Sequence, residues 1–234
     1  MPGPKRLVLF VEGDGDEASA PVLLKHLLTE CAAWDCLFLD PDLFRVGAVY
    51  NLLGRDGENW VRWLQAAGKR KNFGGVLLFL DGDVRARPAE PFCAATVARE
   101  LSRIARRAGA GKVFSVATVF ALREYESWLI AGVETLAGKR LPGDRPGVRA
   151  GTPAEPGDLE VAPRDAKGWL SKHMESGYKA TTDQGPLTSL LVDDLGPLRR
   201  RGLRSLRRLE NAVNLLTEAL RSGNHIVTPP PEGG

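Results

Sequence analysis

The alternation of apolar and polar positions divides this chain into short continuous hydrophobic runs and longer stretches of helical period. Leu7 to Val11 (LVLFV) is apolar at every position, flanked by Lys5-Arg6 and Glu12-Gly13, the pattern of a strand covered on both faces in a parallel sheet. From Glu17 past Leu28, the positions Val22, Leu23, Leu27 and Leu28 recur at helical spacing, so the opening reads strand, Gly-containing turn, helix. A weaker strand is expected over Cys36 to Leu39, and a helix over Asn59 to Ala67 with Trp60, Trp63 and Leu64 on one face. Val76 to Leu80 (VLLFL) repeats the first pattern and ends on Asp81-Gly82-Asp83. A helix over Ala94 to Ala108 follows, then a third apolar run, Val113 to Phe120, then Glu124 and Glu126 at the head of a helix through Trp128 and Leu129. Strand and helix in alternation imply an α/β domain with right-handed crossovers and a mainly parallel, Rossmann-like sheet flanked by helices.

Beyond this core, expected to span residues 1–137, the pattern changes. Residues 138–163 are rich in glycine, proline and charge without periodicity, and predict a loop or mobile insertion. Residues 164–224 predict a helical extension packed on the core, with helices over Asp165 to Met174, Leu187 to Asp193 and Leu203 to Leu220. The last helix carries an apolar stripe of Leu203, Leu206, Leu209, Val213 and Leu216. Residues 225–234, with Pro229, Pro230 and Pro231, predict a disordered tail.

Composition adds boundaries rather than identity. A chain of 234 residues with 43% hydrophobic and 26% charged residues has the profile of one globular unit, and a net charge of +3 does not by itself select a nucleic-acid partner. Cys31, Cys36 and Cys93 lack metal-site spacing or an even count for disulfides, and with no apolar run long enough for a leader or span, a cytoplasmic protein without a membrane partner is expected.

The chemistry concentrates where strands end. In an open parallel sheet, ligands bind outside the carboxyl ends of the strands. Here Glu12, the Asp81 and Asp83 pair, and Glu124 with Glu126 follow successive strands. Mg²⁺ takes oxygen ligands and keeps several waters, so carboxylates converging from neighbouring strand ends suit it, whereas like charges packed together without a counter-ion repel. Taken singly, Asp81 to Asp83 also fits a helix cap, and Glu124 and Glu126 also fit the positive end of a helix dipole.

Val11-Glu12-Gly13 with Asp16-Glu17, followed by a hydrophobic strand ending in Asp81-Gly82-Asp83, resembles the toprim signature of topoisomerases, primases and the overcoming-lysogenisation-defect nucleases. The run Arg123 to Leu129 resembles a narrower group, toprim-like proteins found beside ATPases with an implied role in anti-phage defence. Asp165 to Leu170, Tyr178 to Leu191 and Leu206 to Leu216 resemble that group more loosely. The resemblance implies a toprim-like fold and a Mg²⁺ (or Mn²⁺) site built from Glu12, Asp81, Asp83 and Glu126, with Glu17 and Glu124 as further ligands. It implies phosphodiester cleavage in DNA or RNA, an ATPase partner and a homo-oligomer. The topoisomerase branch needs a nucleophilic tyrosine in a separate domain, and Tyr50, Tyr125 and Tyr178 belong to no such domain.

In two-metal nucleases the ions stabilise the attacking and leaving oxygens, and a lysine often neutralises the developing charge. Lys167 is the first candidate and Lys179 the second. Arg200, Arg204, Arg207 and Arg208 are expected to share a helix face opposite the leucine stripe and to track a phosphate backbone, which makes binding salt-dependent; a solvated surface is the plainer reading. Two rival functions remain open at this level. Leu77 to Val84 (LLFLDGDV) also fits a haloacid-dehalogenase phosphatase with Asp81 as nucleophile and Asp193-Asp194 as its distal acidic pair, and a non-catalytic, metal- or nucleic-acid-binding regulatory subunit would carry the same residues.

Overall fold

The apolar runs become the strands of one parallel sheet in the computed structural model, which describes residues 3–82 and 92–231. The chain opens with β1 (Lys5–Val11), α1 (Asp14–Glu30), β2 (Leu37–Leu39), β3 (Phe44–Arg45), α2 (Val49–Leu53), α3 (Glu58–Gly68) and β4 (Phe73–Asp81). It continues through α4 (Ala94–Arg107), β5 (Ser115–Ala121), α5 (Glu126–Ala131), α6 (Val133–Leu136), β6 (Arg140–Leu141) and β7 (Arg145–Pro146). The remainder comprises α7 (Ala166–His173), a π-helical turn (Ala180–Gln184), α8 (Gly185–Leu191), α9 (Gly196–Arg200), α10 (Arg204–Ser222) and β8 (Val227–Thr228). The sheet order is β2-β1-β4-β5-β8, with β3 pairing β1 beyond β2. All these pairings are parallel, so the fold is α/β with a parallel central sheet flanked by helices.

Successive strand residues point to opposite faces, and this divides the interior in two. Val8, Phe10, Val76, Leu78, Leu80, Val116 and Phe120 meet Trp60 and Leu64 of α3 and Val97, Leu101 and Ile104 of α4. Leu7, Leu9, Val11, Leu77, Phe79, Val119 and Ala121 meet α1, α5, α8 and α10 on the other face. Because both faces are covered, β1 and β4 read as unbroken apolar runs rather than alternating ones. The expected apolar stripe of α10 is buried there through Leu206, Leu209, Val213 and Leu216.

Two expectations are corrected. Residues 138–163 are not a loose insertion: β6 and β7 form an antiparallel pair, and Leu141, Val148 and Leu159 are buried in the main core. Isolated apolar anchors between glycine turns leave no period to detect. The carboxyl-terminal stretch is likewise ordered in part, because Val227–Thr228 pairs in parallel with Val116 and Ala117 and extends the sheet. Two residues suffice to add an edge strand, too few to leave an alternation in the sequence. Among the described residues no helix is long and apolar enough to cross a membrane.

Candidate functional site

The strand order places β1, β4 and β5 side by side, with Val11 opposite Phe79 and Asp81 opposite Ala121, so their carboxyl ends are nearly level. Glu12 follows β1 directly, Asp81 closes β4, and Glu126 opens α5 after β5. Three separate stretches of sequence thereby deliver carboxylates to one sheet edge. The helical region beyond residue 164 covers that edge: α7 contacts α5, while the π-helical turn and α8 pack on α1.

Asp81 is partly buried, and one of its oxygens, Oδ1, accepts the Tyr125 N–H at 2.9 Å. Burial pushes its carboxyl well above the usual carboxylate range, and the neighbouring Asp16, Glu126 and Glu12 push in the same direction. Glu12 is raised by its own burial and by Asp16, against a lowering hydrogen bond from the Asp81 backbone. Its Oε2 is buried without a hydrogen-bond partner. An orphaned carboxylate oxygen is costly and calls for a proton or a cation.

Glu126 is buried, and its Oε1 accepts the Tyr178 hydroxyl at 2.9 Å. Lys167 brings its ammonium to 3.7 Å from the same oxygen and 3.3 Å from Glu124 Oε1. Burial works against the charge of Lys167, but Glu126, Glu124 and Asp81 outweigh it and raise its pKa. The first lysine singled out from the sequence thus stands at the rim of the carboxylate cluster. Lys179, the second, is exposed and contributes its backbone N–H to Asp183 instead.

Glu17 does not join this group. Asp16 and Glu17 are adjacent on α1 and about 100° apart around a helix of 3.6 residues per turn, so only one can face the strand ends. Asp16 is the buried one: its Oδ2 accepts the Gly13 N–H at 3.2 Å and its Oδ1 the Gln184 amide at 3.1 Å. Burial is the chief cause holding its pKa above the ordinary value. Glu17 instead meets Arg45 at 3.2 Å on the surface, alongside an ion pair between Arg45 and Asp14. Asp16, Tyr178 and Gln184 are thus the site groups that sequence reasoning left unassigned. The helical phase of Asp16 relative to the buried Ala20 and Leu23 was the available signal.

The position of Asp83 lies outside the described residues. Among the described residues no three Asp, Glu, His or Cys side chains stand close enough together to hold a metal ion in the arrangement shown. The donor set nonetheless fits a hard divalent cation in kind: all oxygen, anionic, and including the unpartnered Glu12 Oε2.

The basic face is corrected. Arg200 belongs to α9, not to the helix that carries the other three, and it pairs with Glu134 at 2.9 Å. Arg204 pairs with Glu160 at 2.9 Å, and Arg208 is half-buried with its Nη2 donating to Thr228 at 2.8 Å. Arg207 is exposed. The turn at Arg201-Gly202 ends α9 and resets the helical phase, so the four arginines form no continuous stripe. No family model, curated protein or solved structure matches the chain.

Proposed function

We propose that this chain is a Mg²⁺- or Mn²⁺-dependent, toprim-like phosphodiesterase acting on nucleic acid. The observation that carries the reading is the convergence at one sheet edge of Glu12 and Asp81 with the buried Asp16 and Glu126, and with Lys167 at the rim. Such a concentration of buried acid is expensive as mere structure. It suits a site that gathers positive charge and a phosphate.

Glu12 and Asp81 would hold the cation, with Glu126 and Asp83 as further oxygen donors. When bound, a divalent cation lowers the pKa of a coordinated water and neutralises charge on a phosphoryl oxygen. The remaining work falls to the chain. Glu12, raised by burial, is suited to accept the proton of the water that attacks phosphorus. Lys167 is charged and half-exposed, placed to meet the phosphate oxygens that gain charge as the P–O bond to the leaving group breaks. The Tyr125 N–H fixes Asp81, and the Tyr178 hydroxyl fixes Glu126.

The phosphatase alternative makes Asp81 the nucleophile. That reading leaves Glu12 and Asp16 without a task. A role beside an ATPase in anti-phage defence belongs to the same proposal and rests on the sequence resemblance alone.

The test is incubation of the purified chain with single- and double-stranded DNA and with RNA, each with Mg²⁺, Mn²⁺ or EDTA. Metal-dependent cleavage that Asp81→Asn and Glu12→Gln abolish, in proteins that retain their circular dichroism, supports the proposal. No cleavage, together with no divalent-cation shift in Tm, overturns it.

A further inference from the structure

A cavity of about 500 Å³ lies beside β5, between α4, α10 and the segment Thr228 to Pro230, and no residue of the carboxylate cluster lines it. Its existence follows from where β8 stops. Val227 and Thr228 pair with Val116 and Ala117, and Pro229 and Pro230 come next; proline has no N–H to continue a ladder. The edge of β5 beyond Ala117 is therefore not covered by β8, and Thr118, Phe120 and Leu122 face the opening. On the α4 side the wall is Ala94, Ala95, Ala98 and Arg99, and the small side chains of the three alanines leave space unfilled.

Two polar groups in this largely apolar cavity lack the partners that burial demands. Thr118 is buried, and its Oγ1 has no hydrogen-bond partner among the described residues. Arg208 is half-buried and donates to the Thr228 hydroxyl, but among the described residues no carboxylate pairs with it. Burial lowers its pKa, and among the described residues no acidic group offsets that cost. Arg204, also on the lining, is by contrast neutralised by Glu160. A guanidinium without a carboxylate partner among the described residues, an unsatisfied hydroxyl, and proline and phenylalanine surfaces on the same lining make a complementary set.

We infer that this cavity binds a small organic anion with a flat apolar body, its phosphate or carboxylate head on Arg208 and Asn211 and its body against Phe120, Leu122, Pro229 and Pro230. Thr118 supplies the hydrogen bond that fixes the body's orientation. The same chemistry is offered by a nucleoside monophosphate and by an aromatic carboxylate, and the head group separates them.

Isothermal titration of the full chain with AMP and with 2-naphthoate, beside adenosine and 2-naphthamide as neutral counterparts, tests it. At least one anion should bind saturably with 1:1 stoichiometry, and its neutral counterpart should bind about tenfold or more weakly. Arg208→Gln, which keeps a donor for Thr228 but removes the charge, should weaken that anion by about tenfold or more. Thr118→Val should weaken it by about fivefold without lowering Tm, because it removes a hydroxyl that the free protein leaves unsatisfied. Tighter binding of AMP assigns a phosphate head, and tighter binding of 2-naphthoate a carboxylate. Absence of saturable binding by either anion overturns the inference. So does binding that Arg208→Gln leaves unchanged, and if that variant loses its fold, unchanged binding to Thr118→Val does the same. Because the cavity shares no lining residue with the carboxylate cluster, nuclease activity is not needed for either result.

Discussion

The Tyr178 hydroxyl donates to Glu126 Oε1 at 2.9 Å, with both side chains buried, and so joins the helical extension to the sheet edge. Tyr178 lies between α7 and the π-helical turn, and Glu126 at the start of α5. The extension is therefore part of the site's construction.

Removing that hydroxyl leaves a buried carboxylate short of a donor. Tyr178→Phe should destabilise the fold by about 1–3 kcal/mol, the cost of an unsatisfied buried polar group. Urea denaturation gives the value. A change below the error of the measurement would mean that Glu126 finds another donor or that the bond is absent.

Lys167 is a cation of the cluster, and Lys167→Met removes charge while keeping the length of the apolar stem. Loss of one charge-stabilising group at a reacting centre typically lowers kcat by about 10²–10³. The same loss is expected in nucleic-acid cleavage by this variant, whereas Lys179→Met, altered at an exposed position, should cleave like the parent. Equal activity of Lys167→Met and the parent would remove Lys167 from the mechanism.

The raised carboxyls make stability depend on pH with a definite sign. Glu12, Asp16 and Asp81 bind protons more tightly folded than unfolded. Their contribution is fully present below the ordinary carboxylate values and is lost as pH rises through the elevated folded ones. In EDTA, Tm should therefore fall as pH rises through that window, and Asp81→Asn should flatten the fall. Mg²⁺ or Mn²⁺ competes with the protons, so the rise in Tm they cause should grow with pH. A divalent-cation effect that is the same throughout the window would contradict this arrangement.

Neighbours on α1 should behave in opposite ways. Asp16→Asn alters a buried carboxyl bonded to Gly13 and Gln184, and should impair cleavage. Glu17→Gln loosens an exposed pair with Arg45 and should change stability by no more than about 1 kcal/mol, with activity unaffected. If instead Glu17→Gln abolished cleavage and Asp16→Asn did not, the assignment of the first turn of α1 would be reversed.

Glu160 shows how the segment after residue 138 supports the core. Its Oε1 accepts the Ser205 N–H at 2.6 Å and its Oε2 meets Arg204 at 2.9 Å, so it satisfies the first turn of α10 from a distance in sequence. The Arg204 and Ser205 contacts hold its pKa below the ordinary value against the opposing effect of burial. Glu160→Ala should cost about 1–2 kcal/mol, as loss of a helix cap does. Thermal denaturation checks this; an unchanged Tm would show that α10 needs no such cap.

The sequence alone determined the alternation of strand and helix, the apolar stripe of α10 and the position of acids at the ends of three strands. Local pattern suffices for these, because burial on both faces of a sheet requires unbroken apolar runs and burial of one helix face requires its period. It also singled out Lys167, although not its partners. Helical phase with Ala20 and Leu23 pointed to Asp16 rather than Glu17, but tertiary structure alone decided that Tyr178 and Gln184 serve the cluster, that residues 138–163 are anchored by Leu141, Val148 and Leu159, and that the arginines near α10 form no single face. Each of these depends on contacts between residues far apart in the chain. Which carboxylate is buried and which finds a cation is fixed by the neighbours that packing brings, and a one-dimensional pattern does not contain them.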